Sequence, residues 1–143
     1  HFEDGFSAPL MEANRIIRPG GYLFVSVPFQ NRRHLRRDQR ALWRWDENYD
    51  RNSGYETNSC FYQWRLTKPE LQRELELNGF KTLRVEPIHK WQGLRRMVNH
   101  DLHIRSGSRL HEAARLLLYP VVPKSYVAHM IIGIGQKVRS ISD

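Results

Sequence analysis

Arginines and aromatic side chains crowd one stretch of this sequence, and those residue types carry most of its chemical potential. Between Arg32 and Trp45 there are six arginines against a single acid, Asp38. Arg32, Arg33, Arg36 and Arg37 can grip a phosphate or a carboxylate, because a planar guanidinium donates two parallel hydrogen bonds to such groups. The same run reads equally well as a solvated charged surface. Trp43, Trp45 and Trp64 stand among the arginines with Tyr49, Tyr55 and Tyr62. Such a mixture can stack nucleobases and neutralise phosphates, which makes a non-catalytic module for nucleic acid or anionic lipid the alternative reading. No paired aromatic motif of an RNA-binding sheet accompanies it, so nucleic acid is not the expected partner. Other reactive groupings are missing. His100 and His103 sit three apart without a third or fourth ligand, so no metal is expected. Cys60 is the one cysteine, which leaves neither an internal disulfide nor a zinc pattern. No Ser/His/Asp or Cys/His arrangement stands out.

These residues must be held by a folded unit of modest size. The chain has 143 residues, 40% of them hydrophobic, enough for one domain with a core. Its formal charge is +8, and nine Lys/Arg residues between His89 and Asp143 face only Asp101, Glu112 and Asp143. That balance favours anionic partners, or simply keeps the surface soluble. No apolar run is long enough to span a bilayer. The acidic start, His1-Phe2-Glu3-Asp4, is unlike a secretory signal, so a cytoplasmic location is expected, with peripheral membrane contact as a variant. The first residue is not methionine, and further chain upstream is expected.

Alternating signals define the elements. Ser7 to Ile17 reads as a helix with Ser7 as its cap, Pro9 in the first turn, and Leu10, Ala13, Ile16 and Ile17 as its buried stripe. Arg18-Pro19-Gly20-Gly21 ends it. Tyr22 to Val27 is nearly continuously apolar and reads as a central strand covered on both faces, closed by Pro28. Residues 29–65 are irregular, and a loop of that length points to a lid over a substrate. Thr67 and Glu70 form a capping box for the next helix, with Leu71 and Leu75 inward and Gly79 at its end. Lys81 to Glu86 alternates as an edge strand, placing Leu83 and Val85 on one side. Residues 88–126 read as a helical insertion. Within it Ser108 to Tyr119 is an amphipathic helix, with Leu110, Ala113, Ala114, Leu117 and Leu118 on its apolar side. Arg109 and Arg115 fall on its polar side, and Pro120 and Pro123 break it. A helix of this kind can also lie on anionic lipid. Val127 to Gly135 is the closing strand. The alternation means an α/β domain.

The ordered series His1-Phe2-Glu3-Asp4, Leu10 to Gly21 with Arg15-Ile16-Ile17-Arg18-Pro19-Gly20-Gly21 at its end, and Tyr22 to Pro28 resembles class I S-adenosylmethionine (SAM) dependent methyltransferases. More narrowly it resembles the type 11 group of small-molecule methyltransferases. Phe61-Tyr62-Gln63-Trp64-Arg65-Leu66-Thr67, then Glu70-Leu71 and Gly79-Phe80, is similar to a later segment of that family. Val127 to Lys137 is similar to its last strand.

The resemblance implies an α/β fold, the C-terminal part of a Rossmann-like methyltransferase sheet. Residues 1–143 would form a single partial domain, supplying strands five to seven with flanking helices and with the last two strands antiparallel. The SAM-binding half, with its glycine-rich turn and acidic residue, would lie outside this chain. Gly133-Ile134-Gly135 sits inside a late strand and opens no helix, so it is no substitute. The implied activity is methyl transfer from SAM to a small-molecule or lipid-linked metabolite of anionic character, with the acceptor atom open. By the same resemblance His1 lines the methyl pocket or serves as base, or only packs beside the cofactor, and Phe2 covers SAM or joins the core. Pro28, Phe29, Gln30, Asn31, Arg32 and Arg33 border the substrate at the carboxyl end of a strand, where open α/β sheets bind ligands. Tyr62, Gln63 and Trp64 close over it, or pack beneath the lid. An apolar strand left without a neighbour would make the piece poorly stable alone.

Overall fold

A computed structural model describes residues 5–37 and 64–138. The chain is a mixed α/β unit. Its elements are α1 (Ser7–Ile16), β1 (Tyr22–Pro28), α2 (Arg32–Arg37), α3 (Lys68–Leu77), β2 (Phe80–Ile88), α4 (Lys90–Asp101), α5 (Arg109–Val121), α6 (Lys124–Val127) and β3 (Met130–Lys137). The three strands form one sheet in the order β1-β3-β2. β3 is antiparallel to both neighbours, from Tyr22↔Gln136 to Pro28↔Met130 on one side and from Phe80↔Lys137 to Ile88↔Met130 on the other. The closing pair β2–β3 is therefore antiparallel, as expected. β1 and β2 consequently run in the same direction, and α3 lies on the connection between them.

One face of the sheet is packed. Ile131, Gly133, Gly135 and Lys137 alternate as the buried positions of β3. Leu23, Val25 and Val27 share that face through their pairing. Leu71 and Leu75 of α3 close over the two glycines: a methyl on Gly133 would meet Leu75 Cδ1 at 2.9 Å. Leu10 of α1, Phe80 and Trp64 complete the cluster. The opposite face is bare at β1, where Phe24 is 65% and Tyr22 56% exposed. The apolar run predicts a strand covered on both sides, but among the described residues β1 pairs only with β3 and is covered on one side.

Local chemistry sets the helix ends. Thr67 N donates to Glu70 Oε2 at 2.7 Å and Glu70 N donates to Thr67 Oγ1 at 3.5 Å, so the capping box forms. Gly79, at φ 82°, takes the left-handed position that ends α3. α1 departs from expectation: Phe6 occupies its cap position without a side-chain bond, and Ser7 is already helical. Its other end is closed from a distance, as buried Lys137 donates from Nζ to the carbonyls of Asn14 and Ile17 at 2.5 and 2.9 Å. A lysine satisfies the last-turn carbonyls and the negative end of the helix dipole together. Ile16, expected in the stripe, is exposed, while Leu10 is buried.

Three further boundaries differ. β2 spans Phe80–Ile88, and its register shifts between Thr82 and Arg84. The extra residue, Leu83, is turned out to solvent beside the bulge and does not share a side with Val85. Val127 belongs to α6, so β3 begins at Met130 and extends to Lys137. Pro120 lies inside α5, near its end, instead of stopping it.

Candidate functional site

The carboxyl ends of β1 and β2 and the amino end of β3 meet at one end of the sheet, since Pro28 and Ile88 both pair with Met130. Past Pro28 the chain stays tied. Phe29 N donates to the His129 carbonyl at 3.1 Å, Gln30 N to the Leu66 carbonyl at 2.8 Å, and Leu66 N to the Pro28 carbonyl at 3.0 Å. Residues 29–31, 64–66, 89 and 129 thus form a fixed rim. This is the position where open α/β sheets take ligands.

The rim is cationic. His129 is half-buried, and its pKa is lowered, first by burial and then by the positive charges of Arg96, His89 and Arg65. Burial away from water and like charges both disfavour the imidazolium. His129 is therefore a neutral imidazole near pH 7, able to accept a proton. His89, the residue joining β2 to α4, adopts φ 58° and ψ 43°. A non-glycine residue in the left-handed region carries local strain, and such strain concentrates at functional sites. Arg96 comes from the middle of α4. No short-range spacing unites these residues, because they arrive from three separate parts of the chain. His89 directly follows β2 and His129 directly precedes β3, but the sequence pattern ends the first strand at Glu86 and begins the second at Val127, so neither position stands out there.

Residues expected at the substrate divide into two groups. Gln30 is buried, and its Oε1 has no hydrogen-bond partner among the described residues. A buried acceptor left unmatched is costly, and a ligand donor or a water would relieve it. Arg32 is exposed beside it on α2. The remainder are engaged in the fold. Asn31 is 1% exposed: its Nδ2 donates to the Ala128 carbonyl at 2.9 Å, and its Oδ1 accepts from His34 N at 2.9 Å, capping α2. Arg33 makes a fork on Asp101 at 2.6 and 2.8 Å, tying α2 to the end of α4. Arg36 stacks over Tyr126 at 5.6 Å. Phe29 and Trp64 are core residues. His1, Phe2, Tyr62 and Gln63 lie outside the described residues, as does the side chain of Arg37. So does the arginine–aromatic stretch from Asp38 onward.

A cavity of about 410 Å³ runs beside β1 and α1 and reaches the rim at Trp64, with Phe6, Leu10, Phe24, Ser26 and Pro28 among its walls. SAM would need acceptors for its ribose hydroxyls and a cradle for its methionine end. No carboxylate lines this cavity. The lining of this cavity therefore does not fit SAM. His100 and His103 gather no further ligands: no group of three metal-binding side chains occurs among the described residues. Among those residues, no helix is long and apolar enough to cross a membrane.

Fold and rim together define a mixed α/β unit with a three-stranded antiparallel sheet and a cationic strand-end site. No protein-family model, curated protein or solved structure matches the chain.

Proposed function

We propose that this chain forms the acceptor-binding side of a SAM-dependent methyltransferase domain, with an anionic small-molecule or lipid-linked metabolite held at the rim. The cofactor would be held by residues other than those described. The observation that carries the reading is the meeting of the carboxyl ends of β1 and β2, two strands that run the same way, beside the buried, unmatched Gln30 Oε1 and the half-buried His129. Methyl transfer asks the protein mainly for alignment and a dry site. Arg96, exposed on α4, can orient a carboxylate or phosphate, and the His129 imidazole can take the proton that an oxygen or nitrogen acceptor must lose. Two features support a larger α/β sheet of the Rossmann type. The ordered sequence resemblance is one. The other is β1, an apolar strand whose outer edge and one face have no partner among the described residues.

The test uses the full-length protein. Calorimetric titration should show SAM binding, and a labelled methyl group should pass to an acidic fraction of metabolites. Arg96→Gln should raise KM for that acceptor by about tenfold while leaving SAM affinity unchanged, the effect of one charge-assisted contact. Failure of the full-length protein to bind SAM would overturn the methyl-transfer reading. An unchanged KM in Arg96→Gln would overturn the anion site.

A further inference from the structure

α5 is built inside out. Its buried residues are His111 and Arg115, at 0% and 6% exposure. Both are turned toward α4, although Arg115 Nε has no hydrogen-bond partner among the described residues. His111 N takes the Ser108 cap at 3.1 Å, and its Nε2 lies 3.3 Å from the Arg95 carbonyl. Arg115 donates to both Glu112 oxygens at 2.6 and 2.8 Å, and its guanidinium sits 3.8 Å from the Trp91 ring centroid. Leu118 and Val122 pack on the cluster of Leu94, Met97 and Val127, and the remaining apolar residues are turned outward. Leu110 is 65%, Leu117 76% and Val121 71% exposed, with Leu116 and Pro120 alongside. At helical spacing these residues fill one arc of about 140°.

We propose that this arc of α5 docks on the surface of an anionic lipid bilayer. The surrounding charge selects that occupant over an apolar protein groove. Between Leu102 and Val138 the sole acid is Glu112, already held by Arg115. Arg105 and Arg109 are exposed at one end of the arc and Lys124 beyond the other. A helix of 13 residues is about 20 Å long, too short to cross a bilayer. It suits one lying in the interface, with leucines in the acyl boundary and cations at the headgroups. The domain behind α5 plays the part that the polar face plays in a free amphipathic peptide. The inference stands apart from methyl transfer, since it needs neither SAM nor an acceptor.

Co-sedimentation of the full-length protein with vesicles tests it, comparing phosphatidylcholine alone with phosphatidylcholine containing phosphatidylglycerol. Pelleting is expected with the anionic vesicles and not with the neutral ones. Leu110→Glu with Leu117→Glu should weaken it by at least about tenfold. Those positions face solvent and glutamate keeps helix propensity, so the thermal transition should hold. Arg105→Gln with Arg109→Gln should weaken it by about fivefold per charge. The proposal is overturned if the full-length protein does not pellet, or if the leucine variant pellets as before. It is equally overturned if ultracentrifugation finds a self-associated protein that the leucine variant dissociates while vesicles bind neither form.

Discussion

Gly93 marks the closest approach between the helical part of the chain and the segment that leads into β3. It lies in the first turn of α4, against the Val127–Ala128 backbone. A Cβ placed there would stand 1.7 Å from the Val127 carbonyl oxygen, 2.6 Å from its carbon and 3.3 Å from Ala128 Cα. Gly93→Ala therefore sets two effects against each other. In an unobstructed helix alanine is favoured over glycine by about 1 kcal/mol. Here the obstacle is backbone on the opposing segment, which must withdraw by about 1.5–2 Å to reach ordinary contact. Overpacking that cannot be relieved by a side-chain rotation sits at the upper end of its usual range, about 3 kcal/mol. The expected net loss is about 2 kcal/mol, or a fall in Tm of roughly 6 °C for a protein of this size. Urea denaturation of the full-length protein measures it. Gly133→Ala is the comparison: there the obstacle is the Leu75 side-chain tip at 2.9 Å, which can swing away. That variant should change stability by less than about 1 kcal/mol. A Gly93→Ala protein as stable as the parent would refute the reasoning.

Asn31→Ala removes the cap of α2 and leaves the Ala128 carbonyl without its donor, for a loss of about 2–3 kcal/mol by denaturant titration. A loss near zero would mean that the amide is not the tie described. His129 has a lowered folded pKa, so the unfolded chain binds more protons between that value and the ordinary one. Its stabilising contribution is present above about pH 6.5 and fades as pH falls through the folded pKa. His129→Asn should flatten that acid-side slope, and an unaltered pH profile of stability would remove His129 as its source. Phe24→Lys should reduce aggregation of the isolated 143-residue chain by charging its open edge, yet destabilise the full-length protein by about 2 kcal/mol if a neighbour covers that strand there. Equal stability in the full-length protein would count against the larger sheet. The isolated chain should also melt well below the full-length protein in calorimetry, and equal melting would sink the same idea.

What was legible in the sequence was what short-range physics decides. Thr67 and Glu70 announce α3 because a capping box is complete within four residues. Leu71 and Leu75 fall inward because their spacing and the glycines opposite agree. The sidedness of α5 was not legible. Hydrophobic periodicity finds the apolar stripe, but only part of it packs: Leu118 joins the neighbouring cluster, while Leu110 and Leu117 face solvent because the polar side finds its partners in another helix. Glu112, the Trp91 ring and the Arg95 carbonyl make burial of Arg115 and His111 tolerable, and only tertiary structure brings them together. β1 illustrates the converse: its composition states what the strand is suited to, and the described residues supply half of that environment. Leu83 escaped because one extra residue in a strand reverses every face assignment around it. The rim was half legible. Its place at the strand ends follows from the alternation of elements, whereas Arg33 and Asn31, which look like ligand-binding residues by type, turn out to brace the fold. His89, Arg96 and His129 lie too far apart in sequence for spacing to unite them.

The position of β3 in the sheet imposes an order on how the chain can acquire its shape. β1 and β2 are not neighbours, and among the described residues both ladders run through a strand translated after them. While the ribosome is still making α4 to α6, neither strand has its β3 partner. The pairing of Tyr22 with Gln136 closes a loop of more than a hundred residues, an entropic cost that slows folding whenever such contacts dominate. Nascent chains should therefore stay dependent on holding factors until Met130 to Lys137 clears the exit tunnel. A premature stop before that strand would leave neither of these two ladders able to form, however much of the sequence had been made.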